Sequence, residues 1–153
     1  MNMNRYKNQK NAGFSLMEIL IALVVLGVGL LGIAALQAIS LKSNHGAYQR
    51  TQATFLAYDM MDRMRANRTA ALAESYDITM AATSLSGSTL AATDVNDWLT
   101  NYVSVFLPSG DASIDCTTAG VCTIVIQWDT SRQGGTAVDS SVTTQTFTYS
   151  AEI

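Results

Sequence analysis

The sequence predicts an α+β fold, in which one long N-terminal helix packs on a small antiparallel β-sheet. Three observations support this prediction. Residues 14–41 are almost wholly apolar, and residues 42–68 repeat apolar side chains at helical spacing. Residues 94–153 contain segments in which apolar and polar side chains alternate, as in a strand with one buried face. The chain has 153 residues, which leaves room for one small globular head beyond the apolar run.

The first half of the predicted helix, residues 14–41, carries a single charge, Glu18. As a helix this run covers roughly 42 Å, against roughly 30 Å for the hydrocarbon core of a bilayer. An acid in such a segment is costly and is a functional-site hypothesis by default, although a snorkelling interfacial acid is the alternative. Gly27, Gly29 and Gly32 fit either close helix packing or a point of local unwinding.

The second half of the predicted helix is amphipathic and ends at Arg68, with a bend allowed near Gly46. Residues 47–68 contain no Gly or Pro. One apolar stripe recurs at spacings of three and four: Ala53, Leu56, Met60 and Met64. Two acid–base pairs are spaced to form along the helix surface, each contributing a few tenths of a kcal/mol: Asp59 with Arg63, and Asp62 with Arg65. We expect the stripe to pack on the sheet.

Charge is distributed unevenly along the chain. Residues 1–13 carry three basic residues and no acid, which places the N-terminus in the cytoplasm and the head outside it. Residues 42–68 have a net charge of +3, whereas residues 69–153 have −8. A secretory signal would have a shorter apolar region and an Ala-x-Ala cleavage site, which the apolar run lacks. A plain signal anchor remains an alternative, although it does not account for Glu18.

The remaining sequence predicts a loop, a short helix and then strands. Residues 69–93 are predicted to form an exposed loop. Asp94 is positioned to cap a helix that runs to Phe106 and ends before residues 108–110, Pro-Ser-Gly, with Trp98 in the core.

Two segments predict strands by their alternation. Residues 123–129 place three apolar side chains on one face: Ile124, Ile126 and Trp128. Residues 142–153 do the same with four: Phe147, Tyr149, Ala151 and Ile153. A turn or loop is marked between them by Gly134 and Gly135. We therefore expect an antiparallel sheet of three to four strands.

Cys116 and Cys122 enclose five residues. Outside the cytoplasm the environment is oxidising, so we predict a disulfide across this tight loop, contributing about 2 kcal/mol. A metal site is the alternative, but two cysteines and one distant His45 supply too few ligands. A redox-active pair would need the tighter Cys-x-x-Cys spacing.

Composition argues against several other functions. The single His45 and the lack of an acid pair or metal-ligand cluster argue against an enzyme, and no cofactor and no metal site are expected. No phosphate-binding glycine loop followed by Lys is present, so ATP hydrolysis is not expected. A DNA receptor would present a basic patch, whereas residues 69–153 repel phosphate, so no nucleic acid is expected as a partner.

The start of the apolar run resembles a known processing signal. Residues 10–20 read Lys-Asn-Ala-Gly-Phe-Ser-Leu-Met-Glu-Ile-Leu. This resembles the class III signal of type IV prepilins, in which a short basic leader is followed by Gly, Phe, and Glu at the fifth mature position. Gly13, Phe14 and Glu18 stand in those positions. The resemblance implies cleavage between Gly13 and Phe14 by a prepilin peptidase, N-methylation of the new Phe14 amine, and a pilin-like fold.

Glu18 has an assembly role under this resemblance. Pilin helices stack in parallel in a filament, so Glu18 of an incoming subunit can meet the Phe14 amine of a neighbour. Leaving either charge unpaired in an apolar core costs several kcal/mol, so the pairing enforces register more than it adds affinity.

The resemblance extends to one family of minor pilins. Residues 57–68 read Ala-Tyr-Asp-Met-Met-Asp-Arg-Met-Arg-Ala-Asn-Arg, similar to the end of the long helix in the type IV pilus modification protein (PilV) family. Residues 30–37, 107–110 and 124–128 fit that family as well. The resemblance implies a minor type IV pilin that helps to prime pilus assembly and supports adhesion and twitching motility. A type II secretion minor pseudopilin is the closest alternative, because it shares the signal.

The same resemblance implies partners and a location. The partners would be the prepilin peptidase, other minor pilins, the major pilin, the inner-membrane assembly platform and the membrane. The chain would cross the inner membrane once, with its C-terminal domain in the periplasm, and would join the pilus fibre after assembly.

Overall fold

A computed structural model of the chain describes residues 13–131 and 143–153. It divides into two units, the first ending at Leu41 and the second, Lys42–Ile153, called the head below. The predicted α+β architecture is confirmed by one long helix, α1 (Leu16–Ala66), and a small antiparallel sheet. The predicted turn at Gly134 and Gly135, the start of the last strand at Val142 and residues 1–12 of the leader lie outside the described residues.

Helix α1 begins at Leu16, two residues after the predicted start at Phe14. Ser15 explains the difference, because it occupies the capping position. Its hydroxyl accepts a hydrogen bond from the amide of Met17 (3.3 Å), and its carbonyl accepts one from the amide of Glu18 (3.0 Å). The residues before Leu16 are therefore outside the helix.

The second half of α1 forms the contacts that its periodicity predicts. The four residues of the apolar stripe are all buried. Both predicted ion pairs form, Arg63 Nε with Asp59 Oδ2 and Arg65 Nη1 with Asp62 Oδ1, each at 3.1 Å. The helix passes through Gly46 without interruption.

The end of α1 differs from the prediction. The helix stops at Ala66 rather than Arg68, and a short helix, α2 (Arg68–Leu72), follows after Asn67. Part of the predicted loop at residues 69–93 is therefore helical.

The next helix also begins inside that predicted loop. Helix α3 (Leu90–Asp97) is capped by Thr89, whose hydroxyl accepts from the amide of Ala92 at 3.2 Å. The prediction that Asp94 caps it is wrong, because Asp94 lies within the helix. The chain continues as a π-helical segment, Trp98–Val103, and a short helix, α4 (Ser104–Phe106).

The sheet contains three antiparallel strands among the described residues, in the order β1-β2-β3. They are β1 (Asp111–Cys116), β2 (Val121–Asp129) and β3 (Thr144–Glu152). Strand β1 was not predicted. It starts directly after Gly110, where a Cβ would lie 2.5 Å from the carbonyl oxygen of Val103, so only glycine fits this turn.

The core of the head lies between α1, the consecutive helices from α3 to α4 and the inner face of the sheet. The predicted inward residues of β2 are buried, and those of β3 are partly buried against them. Both indole nitrogens find acceptors on α1: Trp98 Nε1 donates to the Leu56 carbonyl and Trp128 Nε1 to Gln49 Oε1, each at 3.1 Å. The prediction that Trp98 packs in the core is confirmed.

Candidate functional site

The apolar segment, residues 14–41, buries none of its large side chains within the structure. Leu16 is 88% exposed and Phe14 is 81% exposed. An 18-residue window of α1 has a mean hydropathy of 3.0, so the helix is long and apolar enough to cross a membrane by length and composition. Apolar surface of this extent is unfavourable in water and is typical of a segment that contacts lipid or other helices.

The candidate cleavage site lies directly before this helix. Gly13 and Phe14 have no helical structure, and a Cβ built on Gly13 would meet nothing within 4 Å among the described residues. Phe14 is joined to Gly13 by a peptide bond here, so its amine would exist only after cleavage. The bond is exposed and free of helical hydrogen bonding, as a protease substrate must be.

Glu18 lies in the first turn of α1, where the helix dipole favours a carboxylate. It lines the same shallow surface as Phe14, together with apolar side chains of the next two turns: Ile19, Ala22, Leu23 and Leu26. No basic residue in the described part of the chain forms an ion pair with it. A lone carboxylate among apolar groups is costly in lipid or in a filament core, so this surface is suited to receive a cation from outside the chain.

In the head, Arg63 joins α1 to α3. Its Nη1 contacts Asp97 Oδ2 at 3.0 Å in addition to its contact with Asp59, and its guanidinium lies 5.2 Å from the centre of the Tyr102 ring. Burial lowers the pKa of Arg63, but the hydrogen bond to Asp97 and the nearby carboxylate charges outweigh it and raise the pKa. Hydrogen bonds from Asn101 and Arg63 lower the pKa of Asp97.

Tyr76 also links separate segments of the head. Its role was not predicted from the sequence because it lies inside the predicted loop. Its ring is fully buried, and its hydroxyl donates to Asp94 Oδ2 (2.8 Å) and accepts from Asn67 Nδ2 (3.1 Å). Burial raises the pKa of the Tyr76 hydroxyl. The available signal was that Tyr76 is the only aromatic residue in the sequence of that loop and lies two residues before Ile78.

The predicted disulfide between Cys116 and Cys122 is present. The two cysteines face each other across β1 and β2 with their Cα atoms 4.0 Å apart, and Cys116 Sγ lies 3.6 Å from the sulfur of Met64. In the described residues, no group of three or more His, Cys, Asp or Glu is arranged to hold a metal ion.

Asp77 lies beside this disulfide. Its Oδ1 accepts a hydrogen bond from the amide of Cys116 at 2.9 Å. Burial raises the pKa of Asp77; the hydrogen bond opposes that change, and the charges of Asp115 and Glu74 reinforce it. Burial therefore disfavours the charged form of the Asp77 carboxyl.

Comparison with known families finds a match in the N-terminal part of the chain. Residues 8–34 match the prokaryotic N-terminal methylation motif, and this range contains Gly13, Phe14 and Glu18. No curated protein and no solved structure matches the chain. The motif indicates the type IV pilin or pseudopilin class, with processing by a prepilin peptidase and assembly with other pilins. Together with the exposed apolar helix, it fits a membrane-anchored pilin.

Proposed function

We propose that this chain is a minor type IV pilin, a structural subunit that helps to start pilus assembly and so supports adhesion and twitching motility. One observation supports the proposal most strongly. The methylation motif coincides with a lone carboxylate, Glu18, in the first turn of a helix whose apolar side chains are exposed. A type II secretion minor pseudopilin is the second candidate, because the same motif serves that class.

The first step of the proposed function is removal of residues 1–13. Water adds across the amide between Gly13 and Phe14, leaving a carboxylate on Gly13 and an amine on Phe14. A methyl group from a sulfonium donor then replaces a hydrogen on that amine. The product is a secondary amine that stays protonated at neutral pH, so the mature chain begins with a cation four residues from Glu18.

The second step is pairing between subunits. When apolar helices stack in parallel, the carboxylate of Glu18 on an incoming subunit meets the methylated Phe14 amine of a neighbour. An unpaired charge in that environment costs several kcal/mol, whereas the pair itself adds little net affinity. The pair therefore selects one axial register for each new subunit.

The choice of a minor pilin rests on residues 57–68, whose sequence resembles the PilV family. This segment also connects α1 to the rest of the head. Arg63 binds Asp97, and Asn67 donates to Tyr76 at 3.1 Å. The resemblance thus falls on residues with identifiable structural roles, which supports a head of the same kind.

The proposed location follows from the charges and the disulfide. The basic leader favours a cytoplasmic N-terminus, and a single pass through the inner membrane then puts the head in the periplasm. The disulfide between Cys116 and Cys122 is suited to that oxidising compartment. Proposed partners there are other minor pilins, the major pilin and the assembly platform.

The N-terminus of the chain in membranes tests the proposal. Its sequence and mass are measured in cells with and without the prepilin peptidase. We expect a peptidase-dependent start at N-methylated Phe14, and the Glu18→Gln variant serves as the matched control because it should be cleaved yet fail to assemble. A start at Met1 in both strains would overturn the proposal.

A separate experiment, in cells that lack this chain, distinguishes the type IV pilus from the type II secretion system. Loss of surface pili with normal type II secretion supports the minor pilin. The reverse result would assign the chain to the secretion system.

A further inference from the structure

The two outer strands of the sheet differ at their free edges. At the edge of β1, every outward backbone amide already donates a hydrogen bond. Pairing with β2 directs three amides of β1 outward. Those of Ala112, Ile114 and Cys116 donate, respectively, to the Asp111 carboxylate (2.8 Å), the Ile78 carbonyl (2.9 Å) and the Asp77 carboxylate (2.9 Å). Another strand cannot pair with these amides.

The edge of β3 has no strand paired with it in the part of the chain that the structure describes; of its outward groups, the Glu152 carbonyl accepts from Arg65 Nη2 at 3.5 Å. Pairing with β2 uses odd-numbered residues: Thr130 donates to the Thr143 carbonyl, and Ile153 donates to the Gly120 carbonyl. The register therefore turns the amides of five residues outward: Thr144, Thr146, Thr148, Ser150 and Glu152. No described residue accepts a hydrogen bond from them. Strand β3 also lacks the Pro and Lys with which proteins commonly block an edge.

Helix α1 and the first residue of α2 contact the last strand along its length. Arg50 Nη2 donates to Gln145 Oε1 at 2.7 Å near one end of β3, and Arg68 Nε donates to the carbonyl of Ile153 at 3.0 Å beyond the other. Between them, the ring of Tyr58 contacts that of Tyr149 edge-on at 4.8 Å and remains 46% exposed. We call the outward amides of β3, with Arg50, Tyr58 and Arg68, the β3 edge site.

The charge of this site favours an acidic occupant. Neither Arg50 nor Arg68 forms an ion pair with a side-chain carboxylate of the described residues. The positions that the two arginines contact, Gln145 and Ile153, are eight residues apart, and eight steps of a β-strand cover roughly 26 Å. Positions eight apart in a strand lie on the same face. One added strand can therefore present a carboxylate to each arginine.

We infer that the β3 edge site binds an extended segment of a partner protein, which joins the sheet as a further strand. Its recognition features are one carboxylate near each end and apolar side chains between them that cover Tyr58. A second copy of this chain fits poorly, because antiparallel pairing of two β3 strands brings Arg50 of each copy toward Arg68 of the other. The inference does not depend on the proposed pilus role.

A nine-residue peptide tests the charge requirement: acetyl-Glu-Thr-Val-Thr-Val-Thr-Val-Thr-Glu-amide. Its control carries Lys in place of both Glu residues. Binding to the full-length protein in mild detergent is measured by fluorescence anisotropy. We expect the Glu peptide to bind at least about tenfold more tightly than the Lys peptide, and the Arg50→Glu, Arg68→Glu double variant to reverse that order. Equal binding of the two peptides, or no binding of either, would overturn the inference.

Hydrogen exchange tests whether the peptide pairs as a strand. Binding of the Glu peptide should slow exchange at the outward amides, such as Thr146, Thr148 and Ser150, and leave those of Phe147 and Tyr149 unchanged. Slow exchange of the outward amides in the free protein would mean that the edge is already covered and would overturn the inference.

A substitution and a modified peptide complete the test. Thr148→Pro removes one outward amide without removing a bond between β2 and β3, whereas Thr148→Val retains that amide. We expect the proline variant to lose peptide binding and the valine variant to keep it. Should the proline variant not fold, a Glu peptide N-methylated at alternate amides answers the same question, because strand pairing requires those amides. Two such peptides are made, one for each set of alternate amides. If both bind as tightly as the unmodified Glu peptide, strand addition is contradicted.

Discussion

The two halves of helix α1 have the same backbone structure and opposite surroundings. Residues 16–41 leave their large apolar side chains exposed, whereas the half within the head has seven buried residues: Gln49, Ala53, Leu56, Ala57, Met60, Met61 and Met64. Helical propensity cannot account for this difference. The second half has its own sheet as a partner, and the first half needs lipid or other subunits. Substitutions in the first half should therefore affect assembly, and those in the second should affect the stability of the head.

Glu18→Gln should produce the largest effect and leave the stability of the head unchanged. If Glu18 pairs with the Phe14 amine of a neighbouring subunit as proposed, the glutamine leaves that amine without a counter-charge at a cost of several kcal/mol, so we expect at least about a hundredfold fewer initiated pili. Surface pili are counted by electron microscopy, and the unfolding midpoint is followed by tryptophan fluorescence. Normal pilus numbers in this variant would refute the assigned role of Glu18.

Met60→Ala and Leu31→Ala form a matched pair in the two halves. Met60 is fully buried, so its truncation should destabilise the head by about 3 kcal/mol. Leu31 is 73% exposed, so the same kind of truncation should change the stability of the head by less than about 0.5 kcal/mol. Urea unfolding of the full-length protein in detergent measures both. Similar losses in the two variants would contradict the division of α1 into two functional halves.

The disulfide should contribute about 2 kcal/mol, since it closes a short loop. Replacing both Cys116 and Cys122 by Ala should lower the free energy of unfolding by that amount. Reduction of the wild-type protein should cause a comparable loss, while the double variant should not respond to the reductant. A wild-type stability that is unchanged by complete reduction would show that the bond does not support the head.

Arg63 and Arg65 compare a partly buried ion pair with an exposed one. Arg63→Met removes contacts to Asp59, Asp97 and the Tyr102 ring and should destabilise the head by about 1–2 kcal/mol. Arg65→Met removes one exposed pair and should cost less than about 0.5 kcal/mol. Chemical unfolding at two salt concentrations checks both values. Equal losses of stability in the two variants would mean that the contact between Arg63 and Asp97 does not stabilise the head.

Asp77→Asn should give a small gain in stability whose size depends on pH. The folded protein raises the pKa of Asp77, so it binds more protons than the unfolded chain between the two pKa values, and stability falls as pH rises through that window. The asparagine can still accept from the Cys116 amide without a charge, so at pH 7 the variant should be more stable by less than about 1 kcal/mol. The gain should vanish near about pH 3, below both pKa values, in thermal unfolding scans. A gain that grows on acidification would contradict the direction of the shift.

The features predicted from sequence depend on neighbours along the chain. The stripe on α1, its two ion pairs and the alternation of β2 are periodic signals, and the structure forms all of them. Strand β1 carries the same alternation over residues 111–116, but it was not predicted because Asp111, Ser113 and Asp115 are weak strand formers and its inward set is short. Its pairing with β2 and with Ile78 makes it a strand.

The errors at helix ends have a tertiary cause. Thr89 and Asp94 are both good capping residues, and the sequence does not distinguish them. The hydroxyl of Tyr76 binds the carboxylate of Asp94, which is consistent with a place inside α3 rather than before it. At the N-terminal site, Gly13, Phe14 and Glu18 are recognised from a short motif, but the proposed partner of Glu18 belongs to another subunit. One chain cannot supply that contact.

The π-helical segment Trp98–Val103 holds one residue more than an α-helical turn would use. Both of its ends are fixed, by the bond from Trp98 to Leu56 and by the buried side chain of Leu107 beyond it. The chain thus contains one extra helical residue between two residues that are held in the core. Deleting exposed Thr100 would turn the wide turn into an ordinary one, whereas a deletion within the stripe of α1 would rotate every later side chain by about 100°. Deletion of one residue should therefore disturb the fold less here than in α1.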